Sequence, residues 1–313
     1  MSGPGGKRAV FFGTPAWAVP SLNALLASEW DVTAVVTNPD RPAGRGYELQ
    51  ASPVKTRALE AGLEVQQPEK ARDPAFRDWL ASIEPTLAVV VAYGKILPAE
   101  LLAVPALGFV NVHFSLLPAY RGAAPVQRAV MNGDAVSGVA IMVLTEGMDE
   151  GPVLATRAVD VGSDETSGEL GERLAVIGAE ALIGALDDYA EGILTPVEQD
   201  HAAATYAPKI SNDEAEIDWS ASAQAIHDKV RGLDPAPGAW TTFRDKRVKL
   251  FRTDPVGDLG LSPGAAALHS GRLMVGTGDV ALALEEAQLA GKKRMGGAAL
   301  ANGLRPGEGE RFG

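Results

Sequence analysis

The sequence contains no cysteine among its 313 residues. That absence excludes disulfide bonds, thiolate nucleophiles and metal sites with cysteine ligands, and it suits a reducing compartment. The first apolar run, at residues 9–12, is also too short to be the core of a signal peptide or a membrane span. We therefore expect a soluble, cytoplasmic protein with no membrane partner.

Histidine is scarce, with four residues in the whole chain. Three of them, His201, His227 and His269, are scattered among acidic or apolar neighbours without the spacing of metal ligands. We therefore predict that the protein has no metal site. The fourth, His113, follows Asn111 by two residues near the end of an apolar run, which is a different setting.

Basic residues are in short supply, since 28 Lys and Arg stand against 40 Asp and Glu, for a net charge of −12. Taken alone, this balance disfavours a nucleic-acid partner, because phosphate contacts need positive charge. The excess of acid is confined to residues 1–205, which hold 14 basic and 26 acidic residues, whereas residues 206–313 hold 14 of each. The C-terminal third therefore differs in its electrostatics from the rest of the chain.

The composition that remains is typical of a globular protein, and 313 residues indicate two domains. In the first half, short apolar runs alternate with helical patterns, which predicts a doubly wound, mostly parallel α/β sheet of the Rossmann-like type. Residues 87–92 are uniformly apolar, as a central strand covered on both faces should be. The predicted strands are 9–12, 32–37, 86–93, 109–112, 138–145 and 152–161, and the predicted helices are 18–27, 54–61, 123–132 and 166–189.

The pattern changes in the C-terminal third. After one helical pattern at 221–231 come short alternating segments at 248–251, 272–275 and 280–284, separated by Gly-rich turns, which predicts a small β-barrel of the OB type. Residues 192–208 lack a strong period and contain two prolines, which fits a linker, although irregular surface structure is equally compatible. We predict a first domain at 1–190, a linker at 191–208 and a second domain at 209–313.

Residues 109–122 place an amide, an imidazole and a proline-containing loop where a buried strand should end. Asn111 and His113 share one face of that strand because strand side chains alternate, and parallel sheets bind ligands beyond the carboxyl ends of their strands. Asp149 lies on a glycine-flanked turn between two apolar strands, from which it can reach a neighbouring strand end. The three side chains are predicted to surround one point.

An amide, an imidazole and a carboxylate together suit acyl transfer to an amine. Asn111 can donate to the developing oxyanion, which is worth roughly 3 kcal/mol in a dry site. His113 can add a second donor, and Asp149 can orient the imidazole and help to move the amine proton. The alternative is structural, because a single Asn or His at a strand end is more often structural than catalytic, and Asp149 alone would be a turn residue. Leu116 and Leu117 in the following loop either fill the core or form the wall of a pocket for a flat heterocycle.

The motif Asn111-Val-His113 with Ser115-Leu-Leu-Pro118, Arg121-Gly122 and Asp149 resembles the signature of formyltransferases that use 10-formyltetrahydrofolate. Phe114 departs from the small residue that many members carry. Further motifs, which together extend over nearly the whole chain, are similar to the branch of this family that acts on methionyl-tRNA; they lie at 12–15, 37–46, 52–55, 91–94, 121–125 and 290–293.

The resemblance implies roles for individual residues. It makes Asn111, His113 and Asp149 the catalytic residues. The formyl donor it implies is 10-formyltetrahydrofolate, without a metal, and the acceptor is the α-amino group of methionine on initiator methionyl-tRNA, without an obligatory protein partner. The residues that it places in contact with the folate are Ser115, Leu116, Leu117 and Pro118.

Two basic regions are candidates for tRNA binding. The segment 40–46 is a loop by composition and offers Arg41 and Arg45; its residues alone favour a solvated surface loop, whereas the resemblance implies that it probes the end of the acceptor stem. In the predicted barrel, Lys292, Lys293 and Arg294 form a basic cluster for which phosphate binding and a solvated face are the alternatives.

Two other functions stay open on the sequence. A folate-dependent formyltransferase or hydrolase for a small-molecule amine would share the three catalytic residues, but it would have no use for the 40–46 loop or a basic barrel. A non-catalytic tRNA-binding protein is disfavoured, because a site that no longer catalyses has no reason to keep amide, imidazole and carboxylate together.

Overall fold

The computed structural model describes residues 6–43 and 48–313. The chain divides into two compact units, neither of which is a continuous stretch of sequence. Unit 1 consists of Met1–Ala123, Gly138–Val159 and Gly171–Ala207. Unit 2 consists of Ala124–Ser137, Asp160–Leu170 and Pro208–Gly313.

Strands and helices alternate through the first half of the chain, and strands predominate near its C-terminal end. The strands are β1 (Arg8–Gly13), β2 (Asp31–Val36), β3 (Arg41–Ala43), β4 (Glu48–Gln50), β5 (Glu64–Gln66), β6 (Leu87–Val91), β7 (Phe109–His113), β8 (Arg121–Gly122), β9 (Val136–Val143), β10 (Val153–Asp160), β11 (Tyr206–Ala207), β12 (Ala239–Phe243), β13 (Lys246–Pro255), β14 (Ala266–His269), β15 (Arg272–Gly276), β16 (Ala281–Leu289) and β17 (Met295–Gly296). The helices are α1 (Val19–Leu26), α2 (Pro53–Glu60), α3 (Pro74–Ile83), α4 (Ala99–Leu102), α5 (Pro125–Met131), α6 (Ser167–Ala190), α7 (Ala223–Gly232) and α8 (Gly297–Leu304), with short 3-10 helices at Ala16–Ala18 and His201–Ala203.

Unit 1 is built on a seven-stranded sheet with the order β10-β9-β7-β6-β1-β2-β5. Five strands, β7, β6, β1, β2 and β5, are parallel, and β9 adds antiparallel to β7. All five residues of β6 and all five of β7 are buried, as their apolar sequences predict. The predicted doubly wound, mostly parallel sheet is therefore confirmed.

Aromatic side chains fill one face of this sheet. The ring of Phe12 on β1 lies edge-on to the rings of Phe109 and Tyr93, with centroids 5.2 Å and 5.4 Å away, and α3 adds Phe76 at 6.3 Å. Such edge-to-face pairs stabilise a core beyond the burial of their area. Helix α3 starts sharply because Asp73 caps its first turn and Pro74 occupies the first helical position.

Hydrogen bonds from a single side-chain amide, that of Asn38, join the carboxyl ends of β1, β2 and β6. Asn38, just after β2, donates from Nδ2 to the carbonyl oxygen of Tyr93 (2.6 Å) and to Oγ1 of Thr14 (3.0 Å). The strand order reverses at β1, since the chain continues to β2 on one side and later returns to β6 on the other. Ligands of open parallel sheets bind at such a reversal, beyond the carboxyl ends of the strands.

Unit 2 is built on an antiparallel sheet with the order β12-β13-β16-β15-β14, to which β17 adds beside β16. The sequence predicts a small β-barrel of the OB type here, and its antiparallel C-terminal strands are confirmed. Contacts made by helix α7 hold two earlier stretches of the chain in this unit. Its Arg231 donates to the carbonyl oxygens of Gly162 and Glu165, and Gly232 is so close to α5 that a Cβ there would lie 2.5 Å from Cγ of Met131.

Candidate functional site

His113 is the last residue of β7, and its ring is held by a hydrogen bond at Nε2 while Nδ1 faces a carboxylate. Its Nε2 lies 2.9 Å from the carbonyl oxygen of Tyr120. A carbonyl can only accept, so Nε2 carries the proton in this contact. Its Nδ1 lies 3.7 Å from Oδ2 of Asp149. The structure therefore brings together two of the three predicted catalytic residues, His113 and Asp149.

Asp149 occupies the turn between β9 and β10 with a left-handed backbone, φ +50°. Its Oδ2 accepts a hydrogen bond from the backbone N–H of Gly122, at 2.8 Å. Gly122 has φ +116°, and a Cβ there would lie 2.9 Å from the carbonyl oxygen of Ala207, so this position requires glycine. The carboxylate is thus fixed at a place where two backbone segments meet.

Asn111 lies two residues before His113 on the same strand and therefore on the same face. It pairs across the sheet with Val90 of β6 and with Met142 of β9. Asn111 is buried, with 8% of the residue exposed. Its place at the carboxyl end of β7 is the one that the sequence predicts.

The loop 115–118 is held largely by contacts within the protein. Ser115 donates from Oγ to the carbonyl oxygen of Ala119 (2.6 Å), and Leu117 packs with Ala140 and Met142 in a small apolar cluster. Leu116 lies over Gly138, where a Cβ would be 2.5 Å from its Cδ2. Leu116 and Pro118 keep partial exposure. Contact of these four residues with a folate stays a prediction.

Phe114, the departure from the family pattern, points into the protein core. It is 6% exposed, and its ring lies edge-on to that of Trp17 with centroids 5.9 Å apart. Gly171 approaches the same indole so closely that a Cβ there would lie 2.1 Å from Trp17 Cζ2. The large side chain of Phe114 therefore has a packing partner that explains its size.

Two buried polar residues at the site were not predicted as site residues. Gln199 donates from Nε2 to the carbonyl oxygens of Asp149 (2.9 Å) and Gly151 (2.7 Å). Arg121, which is 2% exposed, donates from Nε and Nη2 to Gln199 Oε1 at 3.1 Å and 2.7 Å. Arg121 belongs to the motif, whereas Gln199 lies in the non-periodic stretch 192–208, where no local signal marks it.

A cavity of about 550 Å³ lies in unit 1 beside the turn that carries Asp149. Its lining combines apolar Leu97 and Leu101, from the segment after β6, with Arg72 and with Glu146 from the β9–β10 turn. Tyr93 lies two residues after the end of β6, and burial raises the pKa of its hydroxyl to about 12. This hydroxyl is also without a hydrogen-bond partner among the described residues.

Arg41 begins the β3–β4 hairpin and is exposed, whereas Arg45 lies outside the described residues. The base of the hairpin is fixed by Asp40, whose Oδ2 is 2.5 Å from Nζ of Lys55 and whose Oδ1 accepts from Gln67 at 2.8 Å. The hydrogen bond from Lys55, followed by that from Gln67, holds the pKa of Asp40 below its ordinary value. Arg41 is thus an exposed cation next to Asp40, whose side chain is held in place by two hydrogen bonds.

The predicted basic cluster of unit 2 lies on the turn between β16 and β17. Lys292 and Lys293 are exposed there. Arg294 instead stacks on Phe251, with its guanidinium carbon 3.3 Å from the ring centroid, and donates from Nη2 to Oδ1 of Asp234 at 2.7 Å. Arg294 therefore anchors the turn from which the two lysines extend.

The acidic and histidine side chains of residues 6–43 and 48–313 do not gather into a metal site. No group of three or more His, Asp or Glu side chains in these ranges is arranged to hold a metal ion. Within the same ranges, no helix combines the length and the apolar character needed to cross a bilayer.

The arrangement is typical of one class of enzyme. A donor amide and an imidazole on the parallel strand β7, together with a carboxylate from the β9–β10 turn, can stabilise an oxyanion and move a proton, so fold and site together define a group-transfer enzyme that acts on a carbonyl. The family described as formyl transferase matches residues 7–186, and the formyl transferase C-terminal domain matches residues 209–305. The chain belongs to the formyl transferase family.

Individual relatives extend this likeness over nearly the whole chain. The methionyl-tRNA formyltransferase of Thermobifida fusca is 49% identical over 307 residues, which cover 98% of this chain and 99% of that protein. The methionyl-tRNA formyltransferase of Streptomyces coelicolor is 50% identical over 308 residues, with the same coverage. Among solved structures, an N-formyltransferase from Helicobacter canadensis in complex with folinic acid and dTDP-3-aminofucose has a TM-score of 0.66 at 15% identity, covering 89% of this chain and 98% of that one, which shows the shared fold.

Proposed function

We propose that the protein transfers the formyl group of 10-formyltetrahydrofolate to the α-amino group of methionine on initiator tRNA, the step that supplies formylmethionyl-tRNA for translation initiation. One observation carries the proposal: His113 and Asp149 lie 3.7 Å apart at the end of the strand that bears Asn111. This site occurs in a chain about half identical, over nearly its full length, to proteins named methionyl-tRNA formyltransferase.

The reaction joins the amine nitrogen to the formyl carbon and breaks the bond between that carbon and N10 of the folate. The co-substrate supplies the formyl group, and the amine loses the proton that N10 gains. Asn111 donates its side-chain N–H to the formyl oxygen as negative charge develops there. A donor fixed on a buried strand needs little reorganisation when the charge appears.

His113 and Asp149 handle the proton. At 3.7 Å, Nδ1 of His113 and Oδ2 of Asp149 are too far apart for a direct hydrogen bond, yet near enough for one substrate atom or one water to contact both. With Nε2 held on Tyr120, the nitrogen left for proton exchange is Nδ1. The Asp149 carboxylate accepts the amine proton directly or through that bridging atom.

Further residues are proposed to bind the two substrates. Leu116 and Pro118, the partly exposed members of the predicted folate loop that also includes Ser115 and Leu117, are proposed to contact the flat heterocycle of the folate. For the tRNA we propose Arg41 and Arg45 at the acceptor end, with Lys292 and Lys293 on phosphates and Arg294 holding the turn that carries them. Action on charged initiator tRNA also supports a cytoplasmic location.

An acceptor comparison tests the proposed function. With labelled 10-formyltetrahydrofolate, we expect rapid formylation of charged initiator tRNA, and slow or no formylation of free methionine or of a dTDP-linked amino sugar. Preference for a small amine would favour the small-molecule alternative, and tRNA binding without turnover on any acceptor would favour the non-catalytic alternative. The product is identified by mass spectrometry of the released aminoacyl group.

The double variant Lys292→Ala with Lys293→Ala is expected to weaken tRNA binding and to flatten its salt dependence. Each lysine that neutralises a phosphate adds about 0.7–0.9 to the slope of log affinity against log salt, so the loss of both lowers the slope by about 1.5. The measurement is a filter-binding titration at several salt concentrations, with kcat for saturating tRNA followed in parallel.

The control for this pair is Arg8→Ala with Arg57→Ala, which removes the same charge from unit 1 at the start of β1 and in the last turn of α2. If affinity and salt slope stay at the wild-type values in the lysine variant, or fall equally in the control, the two lysines do not bind phosphate.

A further inference from the structure

Two residues of the segment 120–122 contact the catalytic pair directly, and the third contacts Gln199. The carbonyl oxygen of Tyr120 binds His113 Nε2, and the N–H of Gly122 binds the Asp149 carboxylate. Between them, the side chain of Arg121 turns to Gln199. The segment is therefore fixed with respect to both members of the pair.

Gln199 extends this support to the other side of Asp149. Its Nε2 donates to the carbonyl oxygens of Asp149 and Gly151, at 2.9 Å and 2.7 Å, while its Oε1 accepts two N–H groups of Arg121. One buried amide thus joins strand β8 to the turn that carries the carboxylate. Gln199 is 7% exposed, so water does not compete freely for these bonds.

Among amide, carboxylate and apolar side chains, only an amide can make all of the contacts of Gln199. A carboxylate of the same length would accept from Arg121 but could not donate to two carbonyls, and an apolar side chain would do neither. The turn also benefits from support, because Asp149 has φ +50°, a left-handed conformation that aspartate adopts more readily than most residues but less readily than glycine.

We infer that Gln199 is a positioning residue for formyl transfer, which holds the main chain of Asp149 so that its carboxylate stays beside His113. The inference rests on the proposed function for its kinetic consequence. Gln199 does not touch the reacting atoms, and it acts through Asp149 alone. Gln199 is not part of the sequence motif that contains the catalytic residues, and it lies 50 positions after Asp149 along the chain.

The first test is Gln199→Leu, with Gln66→Leu as the matched control. Gln66 is a glutamine of unit 1 whose side chain donates to nearby Glu64, far along the chain from the catalytic pair. We expect kcat to fall about 10- to 100-fold in Gln199→Leu, as for other residues that orient a catalytic group, with KM for tRNA and folate changed less than threefold. The pH dependence of kcat should also shift, and Gln66→Leu should match the wild type.

A double variant separates positioning from general damage. In an Asp149→Asn background, the further change Gln199→Leu should lower kcat less than twofold, because the carboxylate that it positions is already gone. An unchanged kcat in Gln199→Leu, a loss seen in KM alone, or full additivity with Asp149→Asn would each overturn the inference.

Hydrogen exchange gives a readout that does not depend on turnover. Amides of the 145–152 turn should exchange faster in Gln199→Leu than in Gln66→Leu, and equal protection would overturn the inference even if the wild type formylates nothing. Absence of formylation by the wild type would count against the proposed function alone. If the leucine variant does not fold, Gln199→Glu replaces it, because it keeps the bond from Arg121 and loses only the donation to the turn.

Discussion

Replacing His113 with alanine is expected to lower kcat for formyl transfer by about 10²- to 10⁴-fold while leaving the affinity for tRNA within about threefold of the wild type. The change removes the imidazole that faces Asp149 at 3.7 Å, and so removes the group that exchanges a proton at the reacting centre. Binding is spared because His113 is buried at a strand end and offers little surface to a macromolecule. Single-turnover formylation and a tRNA titration measure the two effects separately.

Two companion variants make this result decisive. His269→Ala removes an exposed histidine from β14 and should match the wild type. His113→Gln can still donate to the carbonyl of Tyr120, so it restores the local contact without an imidazole, and it should stay as slow as the alanine variant. Near-normal turnover in either His113 variant would defeat the assignment of this residue.

Asp149→Asn should also lower kcat, by about 10²-fold or more, and should weaken the pH dependence of the reaction. The amide has the shape of the carboxylate and can accept the N–H of Gly122 through its oxygen, and asparagine tolerates φ +50° well. The fold is therefore kept, and only the charge and the ability to take a proton are lost. A pH–rate series with saturating substrates checks the expectation.

The neighbouring carboxylate provides the control. Glu150→Gln removes the same charge one residue away on the exposed side of the turn, and it should leave kcat within about twofold of the wild type. Equal losses in the two variants would show that the site responds to its overall charge, and Asp149 would then have no particular role in the proton transfer.

Much of the fold follows from local sequence patterns. Strand β6 is entirely apolar, and β1, β2 and β7 are mostly so, because both faces of a doubly wound sheet are covered, and such runs stand out between helical patterns. Asn111 and His113 are detectable for the same reason, since polar side chains at the end of a buried run are conspicuous.

Other elements have no comparable pattern in the sequence. Strand β5 has three residues of which one, Val65, is apolar, and β8 and β11 have two residues each, too few for any period. The role of Gln199 depends on contacts across 50 and 78 positions of sequence, which no local pattern encodes.

The pairing of β8 with β11 has a consequence for how the protein is made. Tyr120 and Arg121 donate hydrogen bonds to Thr205, Ala123 donates one to Ala207, and Gln199 belongs to the same late segment. During synthesis, strand β7 and the Asp149 turn emerge from the ribosome well before that segment does. The pairing of β8 with β11, which holds the segment beside His113 and Asp149, can therefore form only after the chain as far as Ala207 has left the ribosome.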